Sequence, residues 1–127
     1  MSLYDDRMMG SQILLVDDDD DLLDTFKESL TLRGYDIITA HDGKEAIVQH
    51  TEKNPCITFM DIKMPKMDGY ETFSQIKKVS NDAKIVFVTG HETVEKTKIA
   101  IDNGLVGILE KPTVIEKIIE LIKENDC

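Results

Sequence analysis

The sequence predicts an α/β domain built on a parallel sheet with helices on both faces. Three observations carry this. Short, unalternated apolar runs recur along the chain; segments of helical period separate them; and acidic, hydroxyl and lysine side chains stand just after the runs. The runs are ILLV at 13–16, ITFM at 57–60 and IVFV at 85–88, with weaker ones at 37–40 (IITA) and around Ile108 and Leu109. An apolar stretch flanked by polar residues, with no polar alternation, is what a strand buried on both faces requires.

The intervening segments read as helices. In residues 20–33, Leu22, Phe26 and Leu30 recur every four positions beside Leu23, and Gly34 ends the pattern. Residues 43–52 turn Ala46 and Ile47 inward, and residues 69–79 carry a narrow stripe of Phe73 and Ile76. Residues 92–103 are only weakly amphipathic, through Val94, Ile99 and Ala100. Residues 114–125 place Ile115, Ile118, Ile119 and Ile122 at i, i+3, i+4, i+7. Strand and helix therefore alternate five times across short connections, which calls for right-handed crossovers in one domain.

Length and charge agree. At 127 residues the chain suits a single domain, expected over residues 11–125 behind a flexible leader at 1–10. With 25 acidic against 15 basic side chains its formal charge is -10, which argues against direct nucleic-acid binding and is compatible with a cation site or basic partners. No apolar run approaches the roughly 18 residues that span a bilayer, and the start lacks a signal-peptide layout. Only Cys56 and Cys127 are present. A disulfide between them is not expected, so a reduced, cytoplasmic protein is.

In open α/β sheets the ligand site lies beyond the carboxyl ends of the strands, where strand order reverses. Asp17 and Asp18 follow the first run, Asp61 the third, Thr89 and Gly90 the fourth, and Lys111 and Pro112 the fifth. Carboxylates crowded into one crevice repel each other unless a cation neutralises them. Mg²⁺, an oxygen-seeking ion content with one or two carboxylates, suits such a set. One carboxylate can then act as nucleophile towards phosphorus, with an ammonium and a hydroxyl aimed at the transferring oxygens. Lys111 and Thr89 fit those two roles. Asp19, Asp20 and Asp21 read instead as a helix start, one of them the N-cap.

On these residues the chain resembles a receiver domain of two-component response regulators, from Gln12 to about Glu124. The motifs are ILLVDD (13–18), GYDIITAHDGKEAI (34–47), MDIKMPKMDGYE (60–71), VTG (88–90) and EKP (110–112). The resemblance implies a doubly wound, five-stranded, flavodoxin-like sheet in the order 2-1-3-4-5. It implies that Asp61 accepts a phosphoryl group from a histidine kinase or phosphotransfer protein in a phosphorelay, with Mg²⁺ as cofactor. By position, Asp18 and Asp61 would hold the ion directly and Asp17 mostly through water. The Lys63 backbone carbonyl would complete the set, with Thr89 the switch hydroxyl and Lys111 the pairing cation. The Lys111–Pro112 bond is commonly cis in this family. Self-directed transfer and hydrolysis make such a domain a switch and not an enzyme with turnover.

Further expectations attach to single residues. Ile108 stands where the family often has Tyr or Phe, and fills an apolar slot. Lys63 and His91 occupy positions that tend to tune phosphoryl lifetime. His41 and His50 are expected to face solvent. The fourth helix, fifth strand and fifth helix form the face that in relatives meets an effector, or a second copy as a homodimer, with Val114 and Leu121 adding apolar surface. The output is expected to lie in a separate effector or in a further output domain. The competing readings are a phosphorylation-independent adaptor and an aspartyl-nucleophile phosphatase. The second is disfavoured because Lys63 stands where the haloacid dehalogenase type usually has an acid.

Overall fold

The computed structural model describes residues 12–90 and 93–127. The expected leader and His91 lie outside them. Five parallel strands, β1 (Ile13–Val16), β2 (Ile37–Ala40), β3 (Ile57–Met60), β4 (Ile85–Thr89) and β5 (Gly107–Glu110), form one sheet in the order β2-β1-β3-β4-β5. Five helices alternate with them: α1 (Asp20–Leu32), α2 (Gly43–Lys53), α3 (Gly69–Val79), α4 (Val94–Asp102) and α5 (Ile115–Glu124). The parallel sheet with helices on both faces is as the sequence predicts, and the strand order is the one the resemblance implies.

The central strands show why their runs are unbroken. Every residue of β1, β3 and β4 is buried, because helices cover both faces. On one face Leu14, Val16, Met60 and Phe87 pack with Ala46, Phe73, Ile76 and Ala100 from α2, α3 and α4. On the other, Ile13, Leu15, Phe59 and Val88 pack with Leu23 and Leu30 of α1 and Ile118 and Ile122 of α5. The register aligns Val16 with Ala40 and Met60, Met60 with Phe87, and Thr89 with Glu110, so the carboxyl ends finish at one rim. Asp19, Asp42 and Asp68 each accept the backbone N–H of the third residue of α1, α2 and α3, satisfying donors the helix starts leave open.

Three expectations are corrected. The fourth helix begins at Val94 and buries Thr97 and Ala100, leaving Val94 77% and Ile99 61% exposed. Two β-branched residues fitted a helical period there, but the face that meets the sheet is offset from them. His50 does not face solvent: it is buried on the inner face of α2 beside Ala46. Its neighbours in sequence, Gln49 and Thr51, are polar, which disguised an inward position. His41 is exposed as expected and bonds Asp20. Finally, Cys56 and Cys127 form a disulfide, their Cα atoms 5.9 Å apart. The chain after α5 turns back to lie against the start of β3, a return of 71 residues that neither local pattern announces. The step from unpaired cysteines to a reducing compartment therefore no longer holds. Among the described residues no helix is long and apolar enough to cross a membrane.

Burial holds the His50 imidazole below its ordinary pKa, with Asp82 pulling up and Lys77 pushing down, and its Nε2 lacks a hydrogen-bond partner among the described residues. Folding then favours the neutral ring, so stability is full above the ordinary histidine value and falls as the pH drops through about 6.5. His41 has the opposite sign, since its bond to Asp20 raises it. The two are separated by comparing urea unfolding of the parent with His50→Leu, both of which keep His41. The variant should gain stability relative to the parent as pH falls from about 7.5 to about 5.5; parallel pH profiles would refute the assignment.

Candidate functional site

The site is assembled at the reversal of strand order, between β1 and β3. Asp17 directly follows β1 and Asp61 directly follows β3, and the two are bound in register by the Asp61 N–H donating to the Val16 carbonyl at 3.0 Å. Both carboxylates are buried, 6% exposed each, whereas Asp18 is exposed. One oxygen from each of Asp17, Asp18 and Asp61 lies within 4.8 Å of the others. Such a cluster offers hard oxygen donors with one side open, which fits a divalent cation that keeps part of its water shell.

Lys111 reaches this cluster from the far end of the sequence. Its Nζ lies 2.7 Å from Asp17 Oδ2 and 3.2 Å from Asp61 Oδ2. The strand that delivers it is set by the Lys111 N–H donating to the Thr89 carbonyl at 3.0 Å, so Thr89, buried at the end of β4, stands next to Lys111 in the ladder. The Lys111–Pro112 peptide bond is cis. Thus Asp17, Asp18, Asp61, Thr89 and Lys111, drawn from four strand ends, come to one rim.

Electrostatics there are opposed. Burial raises the Asp61 pKa and the Asp17 charge adds to it, while the charge and hydrogen bond of Lys111 pull it down; the net is upward. Burial works to lower Lys111, but its hydrogen bond and charge with Asp17, then those with Asp61, outweigh it and raise the pKa. The lysine is therefore held as an ammonium, while Asp61 is shifted towards its protonated form. Asp17 Oδ1 also accepts the Asp19 N–H at 2.9 Å, and Asp61 Oδ1 the Lys63 N–H at 3.4 Å.

The loop after Asp61 depends on Gly69. Its N–H donates to the Ile62 carbonyl at 2.7 Å, and a Cβ here would lie 2.6 Å from the Asp61 carbonyl oxygen and 2.7 Å from Ile62 Cα. Only glycine lets the start of α3 lie so close beneath the acidic residue. At Gly90 a Cβ would meet no more than Lys111 Cβ, at 3.9 Å, leaving space beside the site. Ile108, half-buried, packs against the α3–α4 side of the core.

A family model, the response regulator receiver domain, matches residues 13–123. The chain belongs to that family. Among curated relatives, the response regulator MprA of Mycobacterium bovis is 32% identical over 111 residues, covering 87% of this chain and 48% of its own length. The transcriptional regulatory protein PrrA of Mycobacterium tuberculosis is 29% identical over 119 residues, covering 94% and 51%. The receiver domain thus spans about half the length of the curated relatives it matches. Among solved structures, a response regulator receiver domain protein from Clostridium thermocellum superposes with a TM-score of 0.84 at 26% identity, covering 91% of this chain and 93% of that one. A CheY-like receiver domain protein from Methanospirillum hungatei gives 0.82 at 29%, covering 91% and 96%.

Two residues near the site have roles that the sequence pattern does not show. Asp19, read only as one of three candidate caps, both caps α1 and fastens the Asp17 carboxylate through its N–H. Tyr70 ties the start of α3 to that of α4: its hydroxyl accepts the Thr93 N–H at 2.8 Å and bonds Thr97 Oγ1 at 2.8 Å. An aromatic with a polar tip at a helix start is the only signal it gives. Replacing Gly69 with Ala should force the Asp61–Ile62 backbone to shift and cost about 1–3 kcal/mol, a lower urea midpoint being the readout. An unchanged midpoint would show that the close approach does not matter.

Proposed function

We propose that this receiver domain is a phosphorylation-dependent switch in which Asp61 accepts a phosphoryl group from the phosphohistidine of a kinase or phosphotransfer protein. The observation that supports this most is the Lys111 ammonium set between Asp17 and Asp61. In the transfer, a carboxylate oxygen of Asp61 forms a bond to phosphorus as the phosphorus–nitrogen bond of the donor breaks, and the departing imidazole takes up a proton. Lys111 keeps Asp61 ionised before transfer and pairs with the phosphoryl oxygens after it. The Thr89 hydroxyl serves as a donor to those oxygens, and Gly90 leaves the approach open.

The residues that would hold Mg²⁺ are Asp17, Asp18 and Asp61 with the Lys63 backbone carbonyl. Bound there, the ion supplies positive charge that relieves carboxylate repulsion and offsets the charge of the phosphoryl group. The domain's chemistry is directed at itself, with hydrolysis of the aspartyl phosphate as the reset. Lys63, beside the acceptor, tunes that lifetime; the same role for His91 falls outside the described residues.

Phosphorylation replaces the single carboxylate charge of Asp61 with a phosphoryl group of about -2. Drawing Thr89 towards it pulls on the segment that leads into α4. That helix has a thin anchor, with Thr97 and Ala100 its buried residues, so it is the element best able to shift between two placements. The face of α4, β5 and α5, with Val114 52% exposed, would pass the change to an effector, to an output domain or to a second copy.

The test is phosphate incorporation from radiolabelled acetyl phosphate with Mg²⁺ in the parent and in Asp61→Asn. The parent should label and the variant should fall to background, and Lys111→Ala should lower labelling by about 10²-fold or more. Equal labelling of parent and Asp61→Asn would eliminate Asp61 as acceptor. No labelling of either would favour a constitutive adaptor.

A further inference from the structure

Between α3 and α4 runs an open groove of about 430 Å³, away from the acidic rim. Its floor is apolar, formed by Tyr70, Phe73 and Ala100, and Ile99 stands at its edge with most of its side chain in solvent. The lining inverts the charge of the molecule. A chain of formal charge -10 places Lys77, Lys78 and Lys96 on this groove, and none of its lining residues among the described ones is acidic.

The lysines are positioned differently. Lys77 is pinned at one end, its Nζ donating to the Asn81 and Ala83 carbonyls at 2.6 and 3.2 Å. Lys96 lies over the Tyr70 ring, 5.7 Å from its centroid, and Lys78 is exposed on the outer turn of α3. Tyr70 itself is locked by its bonds to Thr93 and Thr97, so the two walls are joined at their amino ends. The groove is therefore an apolar trough with a cationic rim, its two walls tied through Tyr70.

We propose that this groove docks an acidic amphipathic helix of a partner protein, its apolar stripe on Tyr70 and Ile99 above the buried Phe73 and Ala100 and its carboxylates on the lysine rim. Helix-in-groove recognition needs that combination of apolar floor and complementary edge. A small polar ligand is less suited, since the groove is open and its cations stand at the rim and ends, with none buried in the floor to fix an orientation. A second copy of this chain is also less suited. Its helices are acidic, but the apolar stripes of α1 and α5 already lie on its own sheet, with Leu23, Leu30, Ile118 and Ile122 buried. The binding involves no phosphoryl transfer, so it stands or falls separately from the switch chemistry.

The experiment uses the full ¹⁵N-labelled chain, without phosphodonor or Mg²⁺, and a synthetic helical peptide of about four turns with Leu on one face and Glu on the other. Its companion carries Lys in place of every Glu. The Glu peptide should bind saturably, perturb amides of α3 and α4, and weaken as salt is raised. Affinity should fall about tenfold or more in the Lys78→Glu, Lys96→Glu double variant and in Ile99→Ser, all exposed positions where circular dichroism should stay unchanged. Any of four results would overturn the proposal: no saturable binding, equal binding of the Lys companion, perturbation of another face, or a concentration-dependent dimer of the free chain that perturbs the same amides.

Discussion

A single ammonium shared by two buried carboxylates is the interaction on which this domain's rim depends. Lys111 and Asp17 are 94 residues apart in the chain, yet their charged atoms are 2.7 Å apart. Nothing local could bring them together. The parallel sheet does so, because β1 and β3 lie side by side at its centre and β5 reaches the same rim through the backbone bond between Lys111 and Thr89. A slip of one residue in any of these strands would turn the functional side chain to the other face of the sheet.

That arrangement is unfavourable without its counter-charges. Removing a carboxylate from water costs several kcal/mol unless it is paired and hydrogen-bonded. Asp17 meets this with the Lys111 ammonium and the Asp19 N–H, while Asp61 is left with its pKa raised. The rim is thus a site under electrostatic tension, with one cation supplied by the chain and geometry open to a second. The same tension makes it suited to a charged group that comes and goes, because a change at Asp61 alters the balance around Lys111 at once.

Much of this was legible from the sequence for a simple reason. A strand buried on both faces must be continuously apolar, so β1, β3 and β4 announce themselves, and their carboxyl ends then point to the site residues. Other features depend on tertiary contacts that leave no periodic trace. The inward face of α4 is made by Thr97 and Ala100, a polar and a small residue, while its larger aliphatics face out. His50 is buried on the inner face of α2, and a titratable side chain in an inward slot does not look like core. The Cys56–Cys127 pair joins two positions whose neighbourhood exists only after α5 has docked. The groove between α3 and α4, with its reversed charge, is likewise a property of two helices side by side.

The most direct measurement of the central claim, that these strand ends make one cation site around Asp61, is a Mg²⁺ titration followed residue by residue in ¹⁵N spectra. The account predicts that amides of Asp17, Asp18, Asp61 and Lys63 move together along one saturating curve. It also predicts that the response is lost in Asp18→Asn, a change at an exposed position. Shifts scattered over the surface acids, or an identical response in Asp18→Asn, would contradict it.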